Sequence, residues 1–109
     1  MEKIKDSDHL DQILADNSLV LLYFSGADCS VCQALKPKIE IFIPEQFPDV
    51  KLFEVATAEQ PELVGRFSVF TVPVLLFMVE GREYIREARN VSITELSRKM
   101  EKIVALYIE

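Results

Sequence analysis

Two unbroken apolar runs, Leu19 to Phe24 and Val74 to Val79, dominate the hydrophobic pattern of the chain. Neither alternates with polar residues, as expected of strands covered on both faces, so helices should flank the sheet they form. A third strand is predicted over Val50 to Val55. Elsewhere the apolar positions take helical spacing. Leu10, Ile13 and Leu14 share one face of a first helix, with Ser7 as its N-cap and Asp16-Asn17 closing it. After Cys29, Leu35, Ile39, Phe42 and Ile43 mark a second helix. Pro37 should remove one of its backbone bonds and kink it, and Pro44 and Pro48 should bring it to its end. Thr57 with Gln60 reads as a capping box, and Pro61 as an early position in a short third helix ending near Gly65 to Phe67. Glu80-Gly81 then turns the chain into Arg82 to Ala88, whose mixed polarity suits an edge strand. Ser92 to Glu95 is a second capping box, opening a final helix whose stripe of Leu96, Met100, Ile103, Val104 and Tyr107 should be core. After the first helix the order is βαβαββα. An α/β architecture, with a central mixed sheet flanked by helices on both faces, is the economical solution.

At 109 residues a single domain over 1–109 is expected, and an apolar share of 50% is ordinary for a globular chain. The net charge of −6 argues against sequence-independent nucleic-acid binding, which needs clustered Lys and Arg. Met1 to Asp6 mixes charges and lacks the apolar core of a secretory signal. No apolar stretch approaches the roughly 20 residues that span a bilayer. The expectation is a soluble, cytoplasmic monomer without nucleic-acid or membrane partners.

Candidate chemistry is concentrated in one place. Both cysteines lie in Cys29-Ser30-Val31-Cys32, where the Leu19 to Phe24 strand gives way to the second helix. A helix N-terminus favours negative charge, and the thiolate is the reacting form of cysteine, so the pair reads first as a dithiol–disulfide redox site. In a cytoplasmic chain such a pair points to catalysis rather than to a structural crosslink. Two other readings stand beside this one. The pair could be inert apolar filler. A zinc site needs about four Cys or His ligands, and the distant His9, which is placed on the surface, does not complete one; two chains could share a metal.

With these residues in place the chain resembles the thioredoxin family. Cys29-Ser30-Val31-Cys32 is similar to the family's active-site motif, Pro37 to its kink proline, Thr71-Val72-Pro73 to its cis-proline loop, and Gly81 to its hairpin glycine. These markers align without gaps from Leu19 to Gly81. The resemblance implies the thioredoxin fold, Cys29 as the accessible nucleophile and Cys32 as the resolving thiol. It further implies a substrate shelf at Thr71, Val72 and Pro73, where the Val72 backbone pairs with an extended substrate peptide and the Val72–Pro73 bond is cis.

Several positions depart from the family pattern. Asp28 stands where thioredoxins usually carry Trp, and a carboxylate beside Cys29 opposes thiolate formation, so Cys29 should be less acidic than thioredoxin's own cysteine at about 7. Ser30-Val31 replaces Gly-Pro, and no His is present to build a strongly acidic thiolate, which favours a reductant. Tyr23 replaces the family's buried Asp, and a phenol is a poor base at neutral pH. Glu54 occupies a position where the family often has Lys; it either supplies the missing base in part or is a strand residue whose carboxylate reaches solvent. Arg89 replaces a glycine that keeps the substrate surface open, and either contacts an acidic partner or lies over the edge strand.

The reading is therefore a thiol–disulfide oxidoreductase that reduces protein disulfides through Cys29 and Cys32. No bound cofactor is expected, since the electrons reside in the dithiol, and the family's reductase is the implied recharging partner. The alternatives are a partner-binding module without turnover and a disulfide oxidase or isomerase.

Overall fold

A computed structural model describes residues 1–108. In chain order the elements are β1 (Glu2–Lys3), α1 (Ser7–Asp16), β2 (Leu19–Ser25), α2 (Ser30–Gln46), β3 (Lys51–Ala56), α3 (Pro61–Phe67), β4 (Val74–Val79), β5 (Arg82–Ala88) and α4 (Ile93–Ile108). The strands form one sheet in the order β1-β3-β2-β4-β5. The β1/β3 and β3/β2 pairs are parallel, and β2/β4 and β4/β5 antiparallel.

The apolar runs divide by parity, because successive strand side chains point to opposite faces. Leu19, Leu21, Tyr23, Leu75, Phe77 and Val79 face α2 and α4, whereas Val20, Leu22, Phe24, Val74, Leu76 and Met78 face α1 and α3. Each face buries its own cluster, so β2 and β4 have no solvent side and no alternation. The expected mixed sheet with helices on both faces is the observed fold. β5 is an edge strand, opposite β1, with only Ile85 of its seven residues buried. Glu80 (φ 50°) and Gly81 (φ 76°) both take the left-handed region, the backbone of a two-residue hairpin turn.

Local details differ from the sequence expectations. Asp6, not Ser7, caps α1, accepting the His9 N–H at 2.7 Å; both residue types can cap, and the chain enters one residue earlier. Thr57 and Gln60 form no capping box: Thr57 Oγ1 donates to the Ser25 carbonyl and Gln60 Nε2 to the carbonyls of Ile4 and Lys5. Tertiary partners have taken the side chains that the local motif would have used. At α4 the Ser92 hydroxyl accepts the Glu95 N–H, but the Glu95 carboxylate turns to Arg98 rather than back to Ser92. α2 passes through Pro44 and ends at Gln46, because the Phe47 N–H still reaches the Ile43 carbonyl and the Phe47 ring is buried. Tyr107 is 43% exposed, not core; among the residues of α4 whose burial is described, the last buried one is Val104.

Candidate functional site

β2 delivers the chain to the site and α2 begins there. Cys29 is the N-cap of α2 (φ −107°, ψ 100°), and its sulfur accepts the Cys32 N–H at 3.1 Å. The two cysteines are joined as a disulfide with their Cα atoms 5.2 Å apart, so this is the oxidised form. Cys29 is partly exposed, whereas Cys32 is 2% exposed and packed in the core beneath α2. One sulfur of the pair is therefore open to a reactant. Helix-terminal N–H groups stabilise negative charge at that same sulfur, while Asp28 beside it is exposed, so solvent screens its opposing charge.

The loop before β4 comes to the same place. The Val72–Pro73 bond is cis, Pro73 is buried, and its carbonyl accepts the Arg89 N–H at 3.1 Å. Gly26 permits the approach: a Cβ there would lie 3.0 Å from Val72 Cγ2 and 3.7 Å from Cys29 Cβ. Val72 and Cys29 thus flank one glycine. Thr71, three residues before β4, is exposed. Arg89 is exposed with φ 63°, a backbone that glycine adopts without the steric cost of a Cβ.

Beneath the disulfide lies a buried charge. Tyr23 and Glu54 are direct partners in the β2/β3 register. Glu54 is 5% exposed, so its carboxylate does not reach solvent as a strand residue's commonly does. The Ser25 hydroxyl donates to its Oε2 at 2.7 Å, and Lys36 Nζ lies 3.0 Å from its Oε1 as an ion pair. Burial pushes the Glu54 carboxyl up, but the Ser25 hydrogen bond and the charges of Lys36, close against it, and of Lys3 outweigh it and hold the group below the usual carboxylate range. Tyr23 goes the other way. Burial, and then the Glu54 charge, push its phenol up to about 12, so it stays neutral and donates to the Cys32 carbonyl.

A cavity of about 120 Å³ touches Tyr23, Cys32, Gln33, Lys36 and Glu54 together. It shares Ser25, Gly26, Gln33, Lys36 and Glu54 with a wider cleft of about 390 Å³ that reaches the exposed Ala58 and Glu59. The structure therefore brings Cys29 and Val72 to one surface, with Cys32 buried behind Cys29 and Glu54 lining a cavity that Cys32 also lines. Lys36 and Ser25 escaped the sequence reading. The available signal for Lys36 was its position one helical turn after Cys32, on the same face of α2.

The family model described as Thioredoxin matches residues 1–102. The chain is 38% identical over 98 residues to the thioredoxin-like protein YdfQ of Bacillus subtilis, covering 90% of this chain and 87% of that protein. It is 27% identical to thioredoxin H2 of Arabidopsis thaliana over 97 residues, 89% of this chain and 71% of that one. Among solved structures, a mutant thioredoxin from Halobacterium salinarum superposes with a TM-score of 0.84 at 25% identity, covering 93% and 88% of the two chains. Fasciola hepatica thioredoxin gives the same TM-score at 21% identity, covering 94% and 98%, a likeness of fold.

Proposed function

The chain belongs to the thioredoxin family and is a thiol–disulfide oxidoreductase, and from that premise we propose that it reduces protein disulfides, with Cys29 attacking and Cys32 resolving. The asymmetry of the pair carries this reading. Cys29 is the accessible sulfur at a helix N-terminus, and Cys32 is buried behind it. In the reduced chain the Cys29 thiolate attacks one sulfur of a substrate disulfide, forming a mixed disulfide and releasing the other sulfur as a thiolate. Cys32 then loses its proton and attacks Cys29, closing the Cys29–Cys32 bond and releasing the second substrate sulfur. Two electrons and two protons pass from the dithiol to the substrate. The reaction requires no bound cofactor, and a thioredoxin reductase or small thiol in a reducing compartment such as the cytoplasm would return the electrons.

Thr71, Val72 and Pro73 form the shelf beside Cys29 on which the substrate backbone rests. Glu54 accepts the Cys32 proton through the cavity they share. Its low pKa makes it a relay to the adjoining cleft rather than a strong base.

Cys32→Ser separates the two steps. With a disulfide protein such as insulin, this variant should lose turnover but accumulate a covalent complex through Cys29, visible on a non-reducing gel and released by dithiothreitol. Turnover equal to that of the natural chain would remove the resolving role from Cys32. The direction of electron flow is tested by equilibrating the pair with glutathione. A potential nearer thioredoxin's about −270 mV than the about −120 mV of strongly oxidising relatives is expected, whereas a value at the oxidising end would make the chain a disulfide-forming enzyme.

A further inference from the structure

Arg89 stands where β5 ends, at the end of the sheet that carries the disulfide. Its N–H donates to the Pro73 carbonyl at 3.1 Å, and Val72, the residue before Pro73, flanks Gly26 together with Cys29. Three non-glycine residues take the left-handed region, and two have a local reason: Ser68 ends α3 and Glu80 makes the hairpin turn. Arg89 (φ 63°) opens the tight turn towards α4, its carbonyl accepting the Val91 N–H at 2.9 Å. That turn suits glycine, yet it holds a long exposed cation. A second observation concerns the charge. Arg66, Arg86 and Arg98 each lie 2.8 Å from a carboxylate, whereas Arg89 pairs with none among the described residues. Arg82 also pairs with none, but it lies at the other end of β5. The acids nearest to Arg89 along the chain are engaged: Glu83 by Arg86, Glu87 by Lys99 and Glu95 by Arg98. Its guanidinium is left for a group from outside the chain.

We propose that Arg89 is a specificity-determining residue that pairs with a carboxylate of the substrate protein, so that the chain prefers disulfides flanked by Asp or Glu. The inference rests on the reading that Cys29 is the attacking sulfur. Topology sets the position. β2, β4 and β5 lie side by side, so Arg89 is two strand spacings, about 10 Å, from the strand that leads to Cys29. Three residues of extended substrate, at about 3.3 Å each, span that distance. Chemistry sets the class. A guanidinium matches a carboxylate with two parallel N–H donors and repels a Lys or Arg at the same place. Asp28, exposed beside Cys29, disfavours an acid next to the half-cystine itself, so the two charges together select one placed on the Arg89 side.

The test compares Cys29-dependent reduction of disulfide peptides that differ only in carrying Glu, Gln or Lys three residues to either side of the half-cystine. Bis(2-hydroxyethyl) disulfide, which is uncharged and has no flanking residues, serves as the control. At an ionic strength of about 20 mM the natural chain should favour Glu over Gln roughly threefold and over Lys roughly tenfold in kcat/KM, through KM. Salt at about 0.5 M should shrink both ratios. Arg89→Glu should reverse the order and Arg89→Lys should keep most of it, while the control substrate is reduced equally by all. Arg89→Gly should flatten the preference and raise the urea midpoint, because glycine takes φ 63° without a Cβ. Equal kcat/KM for the Glu and Lys peptides, or an order unchanged in Arg89→Glu, would overturn the proposal while leaving the reductase reading intact. A natural preference for the Lys peptide would assign the selection to Asp28 and overturn it equally. A lowered midpoint in Arg89→Gly, with equal losses on every substrate, would make Arg89 a structural residue and overturn it too. Failure of the natural chain on all the disulfides, control included, would remove the reductase reading and the specificity with it.

Discussion

Replacing Lys36 by Met should lower stability by about 2 kcal/mol at neutral pH, with the deficit closing as the pH falls through the carboxylate range. Glu54 is held ionised in a site that is 7% exposed at its side chain, and Lys36 is the cation nearest its Oε1. Removing one partner of a fully buried pair costs about 3–5 kcal/mol; the Lys36 side chain is 38% exposed, so water already screens part of the attraction and the expected loss is smaller. The sign of the pH dependence follows from the direction of the shift. In the natural chain the folded Glu54 pKa lies below its unfolded value, so its contribution is present above the unfolded pKa and is lost as pH falls through the folded one. Without Lys36 the burial penalty is opposed by the Ser25 hydrogen bond and the more distant Lys3 charge alone, so the folded pKa rises relative to the natural chain's and the ionised carboxylate contributes less stability at pH 7. The two stability curves, measured by urea unfolding across pH, should therefore converge in acid. Adding Glu54→Gln to Lys36→Met should recover most of the loss, because no buried charge then lacks a partner. A deficit that is independent of pH, or absent, would mean that the pair is not coupled as the geometry implies. The same Glu54→Gln substitution alone tests the proton relay: it should slow the Cys32 step, and an unchanged step at every pH would exclude Glu54 from it.

This pair also shows where sequence reading stops. β2 and β4 were legible because strands covered on both faces leave continuous apolar runs, and Cys29 and Cys32 because their relationship is local. The pairing of Lys36 with Glu54 joins α2 to the β3 strand on the face it covers, and no local pattern records it. Tyr23 and Glu54 each read as a departure from the family pattern. Their register in adjacent strands places a buried carboxylate beside Tyr23, with an ammonium partner on the helix that carries Cys32. β1 was invisible for a different reason. Its Glu2 and Lys3 are exposed, and only their backbone pairing with Phe53 and Glu54 makes them a strand. Tyr107 fitted the helical stripe, yet periodicity cannot say which turns of a helix find core residues beneath them.

Substituting Cys29 by Ser should have the largest effect on activity. A hydroxyl at the N-cap can still accept the Cys32 N–H, so the start of α2 should be preserved and stability nearly unchanged apart from the lost crosslink. Chemistry should disappear, because an alcohol at neutral pH neither ionises appreciably nor forms a bond to substrate sulfur that Cys32 could break by disulfide exchange. The remaining thiol, Cys32, is buried and cannot substitute for it. The effect therefore separates an enzyme from a module that binds partners with the same surface.

The most direct test is dithiothreitol-driven reduction of insulin disulfides by the natural chain beside its Cys29→Ser variant. The account predicts clear acceleration by the natural chain and a rate no greater than dithiothreitol alone for the variant. Equal rates for the two chains would contradict it, leaving Cys29 without the role of general disulfide-reducing nucleophile.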